Sequence, residues 1–306
     1  MKSFVEENTW SFTVDPLNDP FCADYRIHGF PAVPLAMSIE LMAQAACRGF
    51  QADNQGEACM PAIAGVRVHS HLVSQSEDAF AIELSPSRQL DGMWTVRRDH
   101  RDSEGVVMER NVCHVSCVID RHPVYELECP ACSIEELKVI DSVGRNRQGR
   151  AESSESNRCR SASDAPVYRG PALPRFEQIK FGDYLGLDQV PVAVADYRAC
   201  KSDPLWGKRK LIGMPVTSPA VVDLMLDLAS SLAKHVSGQE ALPVAIDQLV
   251  LGRRPNVDEQ VSFLAKWWVS LHEGDGAVLS VVAMGQDGAM IARLIGVRAV
   301  ALVAGL

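Results

Sequence analysis

The chain has 306 residues, a length that suits two domains of about 150 residues each. It is 47% hydrophobic and 23% charged, the balance of a globular protein, and it contains no run of about 18 apolar residues that could cross a membrane. A net charge of −9 argues against a nucleic-acid partner, and the polar first residues show no secretory signal, so we expect a cytoplasmic protein.

The first half of the chain predicts a buried helix followed by strands. Residues 35–50 are apolar around most of a helical circumference, and their polar members Glu40, Gln44 and Arg48 fall four residues apart on one stripe. Strand-like segments separated by turns such as Asp91-Gly92 then follow, at 62–73, 79–87, 93–100 and 106–120.

The second half repeats this plan after a polar segment. Residues 141–165 are rich in Ser, Arg, Glu and Asn, which predicts an exposed linker between an N-terminal domain, 1–140, and a C-terminal domain, 166–306. A second apolar helix is predicted over about 219–235, with strands at 244–254, 260–272, 277–285 and 292–303. We therefore expect an α+β double hotdog, two antiparallel sheets each wrapped around a central helix, although other α+β folds share this periodicity.

The cysteines and histidines do not predict a metal site. The nine cysteines are scattered, and the one CxxC pair, Cys129 and Cys132, is followed by no second pair or His pair at zinc-site spacing. His69, His71 and His114 alternate with apolar residues, as surface or hydrogen-bonded strand residues do. We expect no metal and no bound cofactor.

Three short motifs carry a family resemblance. Tyr25, Gly29 and Pro34 precede the first helix with the spacing YxxxGxxxxP, residues 167–171 read VYRGP, and residues 219–227 read PAVVDLMLD at the start of the second helix. These segments resemble, in the same order, the motifs of polyketide synthase dehydratase domains. The sequence around Tyr25 is most similar to that of the branch found in enediyne and polyunsaturated fatty acid synthases.

The resemblance implies a chemistry and a set of site residues. In the family, a histidine removes the C2 proton of a 3-hydroxyacyl thioester, an aspartate protonates the departing C3 hydroxyl, and an amide near the motif glycine polarises the thioester carbonyl. Asp223 takes the place of the aspartate, Gly29 that of the glycine, and Tyr25 that of the histidine. The expected catalytic residues are Asp223 and Tyr25, and the expected substrate-binding residues are His28, Gly29, Pro34, Tyr168, Gly170, Pro171 and Asp227.

The tyrosine departs from the family pattern. A phenol with a pKa near 10 is a poor base at pH 7, whereas an imidazole near 6.5 is well matched. His28 would face away from Tyr25 on an extended segment, which argues against it as a direct substitute. Tyr25 could instead donate a hydrogen bond to a carbonyl or fill the pocket with its ring. The family's Gln or His four residues after the aspartate is Asp227 here.

Three functions are therefore considered. The first is a dehydratase-like enzyme that performs a non-standard reaction, cyclisation or isomerisation, on a carrier-bound polyketide or fatty acyl thioester. The second is a catalytically inactive pseudo-dehydratase that binds a synthase, and the third is a true 3-hydroxyacyl dehydratase with a substitute base.

The expected partner is an acyl carrier protein or a polyketide synthase, with the substrate carried on phosphopantetheine and the protein a monomer or homodimer. We expect neither a nucleic acid nor a membrane as a partner. The basic run Lys208–Lys210 is a candidate docking point for the acidic carrier or its phosphate, since it stands out in an acidic chain. We also expect Tyr25, Gly29, Asp223 and Asp227 to meet at the inner end of one tunnel.

Overall fold

A computed structural model describes most of the chain. The described residues are 9–53, 59–87, 90–101, 106–123, 136, 138–140, 151–153, 166–171, 173–184, 190–201, 203–205, 215–268 and 277–302.

The described elements alternate long helices with runs of strands. In chain order they are β1 Trp10–Val14, α1 Pro20–Ala23, β2 Tyr25–Ile27, β3 Phe30–Pro31, α2 Leu35–Asp53, β4 Cys59–Val68, β5 Phe80–Pro86, β6 Met93–Arg101, β7 Val107–Pro123, β8 Ala151–Ser153, β9 Val167–Arg169, β10 Gln178–Tyr184, β11 Val190–Arg198, α3 Pro219–Ser237, β12 Ala241–Leu251, β13 Gln260–Trp268, β14 Ala277–Met284 and β15 Met290–Ala301.

The chain divides into two compact units. Unit 1 comprises Met1–Leu127, Val167–Leu173 and Asp203–Ala220, and unit 2 comprises Glu128–Pro166, Pro174–Ser202 and Val221–Leu306. Segments 167–173 and 203–220, which the sequence analysis assigned to the C-terminal domain, belong to unit 1. One physical reason is strand pairing, because β9 pairs with β2.

In unit 1 a strongly apolar helix packs on an antiparallel sheet. The strand order is β1-β5-β6-β7-β4, and α2 contacts β4, β5, β6 and β7. Met37, Ile39 and Met42 of α2 are fully buried, and the thiol of Cys117 on β7 lies 3.6 Å from the sulfur of Met42. Burial of this apolar face is what stabilises the helix against the sheet.

In unit 2 the sheet is likewise antiparallel, with the order β12-β15-β14-β13-β11-β10-β8. Leu224, Met225 and Leu228 of α3 are fully buried, and the ring of His235 near the end of α3 stacks on Phe181 of β10 with centroids 4.2 Å apart.

The sequence analysis located both long helices, and the structure extends them to Asp53 and Ser237. It did not predict the strands β1, β10 and β11. Within the predicted linker 141–165, residues 151–153 form β8 beside β10, and the remainder lies outside the described residues. Among the described residues, no helix has both the length and the apolar character needed to cross a membrane.

Candidate functional site

The first two motifs meet in unit 1 as neighbouring strands. A small antiparallel sheet has the order β3-β2-β9, so the segment that begins with Tyr25 lies against the segment that contains Tyr168. The paired residues are Tyr25 with Arg169, Arg26 with Tyr168, and Ile27 with Val167. Tyr25 and Tyr168 are both half-buried. Backbone pairing thus brings together two motifs that are distant in sequence.

The glycine of the second motif is held close to the first. The N–H of Gly170 donates to the carbonyl oxygen of Asp24 at 2.5 Å, and a Cβ atom on Gly170 would overlap the Asp24 carboxylate. Gly170 is buried, whereas Pro171, the next residue, is exposed. The absence of a side chain at Gly170 therefore permits a close approach between the two segments.

A left-handed turn follows β2 at the motif glycine. His28 has φ +50° and Gly29 has φ +83°, so two successive residues occupy the region that glycine adopts readily and a histidine adopts at some cost. The expectation that His28 lies on an extended segment is wrong, because β2 ends at Ile27. His28 is exposed at this turn.

Arg26 fixes this turn from the neighbouring strand position. Its guanidinium donates to the carbonyl oxygen of Gly29 at 3.1 Å and to the carboxylate of Glu77 at 2.9 Å. The charge of Arg26 is thus engaged with Glu77.

A second imidazole lies near this turn. The segment after His71 runs antiparallel to the segment before α2, where the N–H of Val33 donates to the carbonyl oxygen of Leu72 at 2.9 Å. Burial lowers the pKa of His71, and the charge of His28 lowers it further. His71 is therefore held as a neutral imidazole at pH 7.

Pro34 and Asp223 are both buried. Pro34 directly precedes α2, and its carbonyl oxygen accepts the N–H of Met37 at 3.0 Å at the start of the helix. Asp223 lies in the second turn of α3 with 3% of its surface exposed, and Asp227, one turn later, is half-buried. The expected meeting of Tyr25 with Asp223 and Asp227 stays a prediction.

A buried carboxylate on the polar stripe of the first long helix, Glu40, accepts four hydrogen bonds. Each oxygen of Glu40 accepts two hydrogen bonds: Oε1 from the side chain of Gln44 and the N–H of Val216, and Oε2 from the N–H and hydroxyl of Thr217, at 2.6–2.7 Å. Burial raises the pKa of Glu40, while the hydrogen bonds of Thr217 and Val216 oppose that rise. The spacing of Glu40, Gln44 and Arg48 predicted that they share one face of the helix. Nothing in the sequence indicated that residues 216 and 217 supply donors to Glu40.

A cavity of about 360 Å³ lies within unit 2, away from the predicted site residues. Among its lining residues are Lys266 and Arg293, and Glu136 pairs with Arg293 at 2.8 Å. None of the predicted site residues is among those that line this cavity.

Two other features named from the sequence lie outside the described residues. Lys208–Lys210 and the pair Cys129 and Cys132 fall outside the described part of the chain. Within that part, no group of three or more His, Cys, Asp or Glu side chains is placed to hold a metal ion.

Comparison with known proteins identifies the fold. No protein-family model matches the chain, and no curated protein sequence matches it. Solved structures do match it over nearly their whole length, at low sequence identity.

Three of them illustrate the likeness. A trans-AT polyketide synthase dehydratase domain from Brevibacillus brevis matches with a TM-score of 0.67 and 14% identity, covering 96% of this chain and 94% of that one. An isomerase-inactive variant of GphF DH1 matches with a TM-score of 0.64 and 13% identity, covering 97% and 92%. An inactive mutant of the CurK dehydratase, in which phenylalanine replaces a histidine, matches with a TM-score of 0.64 and 14% identity, covering 99% and 96%. The chain therefore has the α+β double-hotdog fold of polyketide synthase dehydratase domains, as predicted.

Proposed function

We propose that this protein is a dehydratase-like enzyme of polyketide or fatty-acid biosynthesis that acts on an acyl thioester held by a carrier protein. The observation that carries the proposal is the pairing of β2 with β9, which joins the Tyr25 segment to the Tyr168–Gly170 segment. The motif resemblance and the dehydratase-domain fold support the same substrate class.

The proposed reaction does not depend on a histidine at the position of Tyr25. Tyr25 donates a hydrogen bond to a substrate carbonyl, and Asp223 supplies or accepts a proton. Cyclisation or isomerisation suits such a pair, because correct placement of a reactive chain can replace a strong base as the main source of rate. The GphF DH1 variant described as isomerase-inactive supports isomerisation as a chemistry that this fold can hold.

The environment of Asp223 supports its role as the acid. Its neighbours Val222 and Leu224 are fully buried apolar residues, and Asp223 itself has little contact with solvent. A proton donor shielded from bulk water keeps its proton available for transfer to the substrate.

A second candidate function, ordinary dehydration with a substitute base, is favoured by one observation. The segment after His71 pairs with the segment that leads from the motif turn into α2, where the N–H of Val33 donates to the carbonyl oxygen of Leu72 at 2.9 Å. Burial and the charge of His28 lower the pKa of His71, so its imidazole is neutral at pH 7. A neutral imidazole is the form that can accept the C2 proton of a 3-hydroxyacyl thioester. Replacement of a histidine by phenylalanine in the inactive CurK mutant supports the need for such a base in that dehydratase.

The test is to load a carrier protein with a 3-hydroxyacyl phosphopantetheine chain or, separately, with a 2-enoyl chain that bears a distal hydroxyl group, and to follow the products by intact mass and chromatography. An isomer or ring product that disappears with Asp223→Asn supports the proposed reaction. Loss of water that survives Tyr25→Phe but disappears with His71→Gln supports the second candidate. Binding of the loaded carrier without any product identifies a pseudo-dehydratase, and no binding and no product rejects the proposed function.

We also propose that Lys208–Lys210 binds the acidic carrier or its phosphopantetheine phosphate. Attraction between this basic run and an acidic partner should weaken as salt rises. Charge reversal of the three residues should weaken carrier binding at low salt, whereas unchanged binding would reject this role.

A further inference from the structure

We propose that Glu40 is a positioning residue for Asp223, because it fixes the segment from which α3 begins. The inference rests on the proposed function, in which Asp223 is the acid. Glu40 has none of its surface exposed, so its hydrogen bonds are not in competition with solvent.

The bonds of Glu40 converge on two consecutive residues. The N–H of Val216 donates to one oxygen and the N–H and hydroxyl of Thr217 donate to the other, all at 2.6–2.7 Å. Three donors in a fixed arrangement determine both the position and the orientation of this short segment. Because Glu40 lies within the long, buried helix α2, the acceptor itself sits on a rigid element.

The fixed segment leads directly into the helix that carries the acid. Ser218 adopts a left-handed conformation with φ +53°, and Pro219 is the first residue of α3. A second carboxylate assists, because Asp203 accepts the N–H of Ala220 at 2.9 Å. Asp223 follows on the next turn of the same helix, so a displacement at Thr217 is passed on to Asp223 through the helical backbone.

Burying a carboxylate costs more free energy than burying an uncharged group that accepts the same three hydrogen bonds. Burial of a charged group is unfavourable, and an uncharged acceptor would serve if the task were only to satisfy these donors. The strength and paired geometry of charge-assisted bonds fit a demand for accurate placement instead. Misplacement of a reacting group by about 1 Å can cost about 100-fold in rate.

Two substitutions probe this arrangement, and one matched substitution controls for stability. Glu40→Gln keeps the shape but turns one acceptor into a donor that faces donors. Thr217→Val removes one hydroxyl bond without changing any charge. Thr95→Val removes an equally buried hydroxyl elsewhere in unit 1, since Thr95 is 3% exposed against 2% for Thr217. The Thr95 hydroxyl donates to the Ser85 carbonyl oxygen at 3.2 Å and accepts from Nε of Arg97 at 3.2 Å.

The first readout is turnover of the loaded carrier at a temperature well below the lowest unfolding midpoint of the set. We expect Glu40→Gln to lower kcat by about 10- to 100-fold with KM changed less than about 3-fold, and Thr217→Val to lower kcat by a smaller factor. Thr95→Val should keep kcat within about 2-fold of the unmodified protein while losing similar stability.

The second readout does not need turnover. The titration midpoint of the Asp223 carboxyl group, followed by carbon-13 NMR, should move in Thr217→Val and stay unchanged in Thr95→Val. Unchanged kcat and an unchanged Asp223 midpoint in both Glu40→Gln and Thr217→Val would overturn the positioning role. If the unmodified protein turns over no thioester, the proposed function fails on its own, and the Asp223 midpoint in Thr217→Val still decides whether Glu40 positions Asp223.

Discussion

The N–H of Gly170 donates to the carbonyl oxygen of Asp24 at 2.5 Å, directly before the strand that begins at Tyr25. The bond closes the end of the β2–β9 pair, and a Cβ atom at Gly170 would occupy the space of the Asp24 carboxylate. Gly170 therefore has to lack a side chain, because the Asp24 carboxylate fills the space beside it.

Substitution of this glycine gives the first prediction. Gly170→Ala should lower the free energy of unfolding by about 1–3 kcal/mol, because the added methyl group overlaps the Asp24 carboxylate. Denaturant unfolding measures the change. The double variant Asp24→Ala/Gly170→Ala is the control: it should cost little more than Asp24→Ala alone, and a full additive loss would show that the overlap is not the cause.

The long helices were predictable because burial leaves a strong local pattern. Residues 35–50 and 219–235 are apolar on nearly every face, and such segments read as buried helices without any knowledge of the fold. The strands that follow them were found for a similar reason, since β-branched runs between turns are a local signal.

The partnerships between distant segments were not predictable from local pattern. Nothing near Tyr168 indicates that it pairs with Arg26, and the donors for Glu40 come from the backbone of Val216 and Thr217, whose N–H groups carry no side-chain signature. β9 has only three residues, too few for a periodic signal. The conformation of His28 was missed because a non-glycine residue with positive φ is uncommon.

An ion-pair cluster in unit 2 gives the second prediction. Arg253 donates to Glu259, at 2.9 Å for one of its bonds, and to Asp287 at 2.7 Å, while only 6% of the Glu259 side chain is exposed. Arg253→Met should cost about 3 kcal/mol, because it leaves a buried carboxylate without its guanidinium. Lys234→Met, which breaks the exposed pair with Glu240, should cost less than about 1 kcal/mol in the same unfolding measurement.

The same cluster makes the third prediction, on acid stability. Hydrogen bonds from Arg253 hold the pKa of Glu259 at about 2, below its ordinary value of 4.5. The stability that this shift contributes is present above pH 4.5 and is lost as the pH falls towards 2. Arg253→Met should therefore lose less stability than the unmodified protein between pH 5 and pH 3. An identical loss in both proteins would contradict this assignment.

His114 makes the fourth prediction, in a higher pH range. Burial and the charge of Arg98 lower the pKa of His114 to about 4, and its buried Nε2 has no hydrogen-bond partner among the described residues. Between pH 6.5 and pH 4 the unfolded chain binds this proton and the folded chain does not, so folding stability falls as the pH falls. The slope contributed is at most about 1.4 kcal/mol per pH unit.

Removal of the His114 imidazole should weaken the pH dependence of the unfolding free energy. The difference in unfolding free energy between pH 7 and pH 5 should be smaller in His114→Gln than in the unmodified protein. Part of the pH dependence of the unfolding free energy should remain, because the pKa of His71 is also lowered. The exposed residue His235, which is not among the groups that shift the pKa of His114, supplies the control, and an equal weakening of the pH dependence in His235→Gln would show that His114 is not responsible.

Tyr25 makes the last prediction, on the choice of reaction. Under the proposed function Tyr25 supplies no general base. Such a base is typically worth about 10²- to 10⁴-fold in rate, so the unmodified protein should eliminate water from a simple 3-hydroxyacyl thioester weakly or not at all. Tyr25→His places an imidazole at this position and should raise that elimination by at least about 10-fold. Tyr25→Phe should abolish the protein's own reaction if the hydroxyl donates to the substrate carbonyl, and should leave it intact if the ring only fills space.

Asp223→Asn should remove activity from the unmodified protein and from both Tyr25 variants without loss of folding. Strong elimination of water by the unmodified protein would show that a histidine at position 25 is not needed. Loss of the dehydrated product in His71→Gln would then identify His71 as the base.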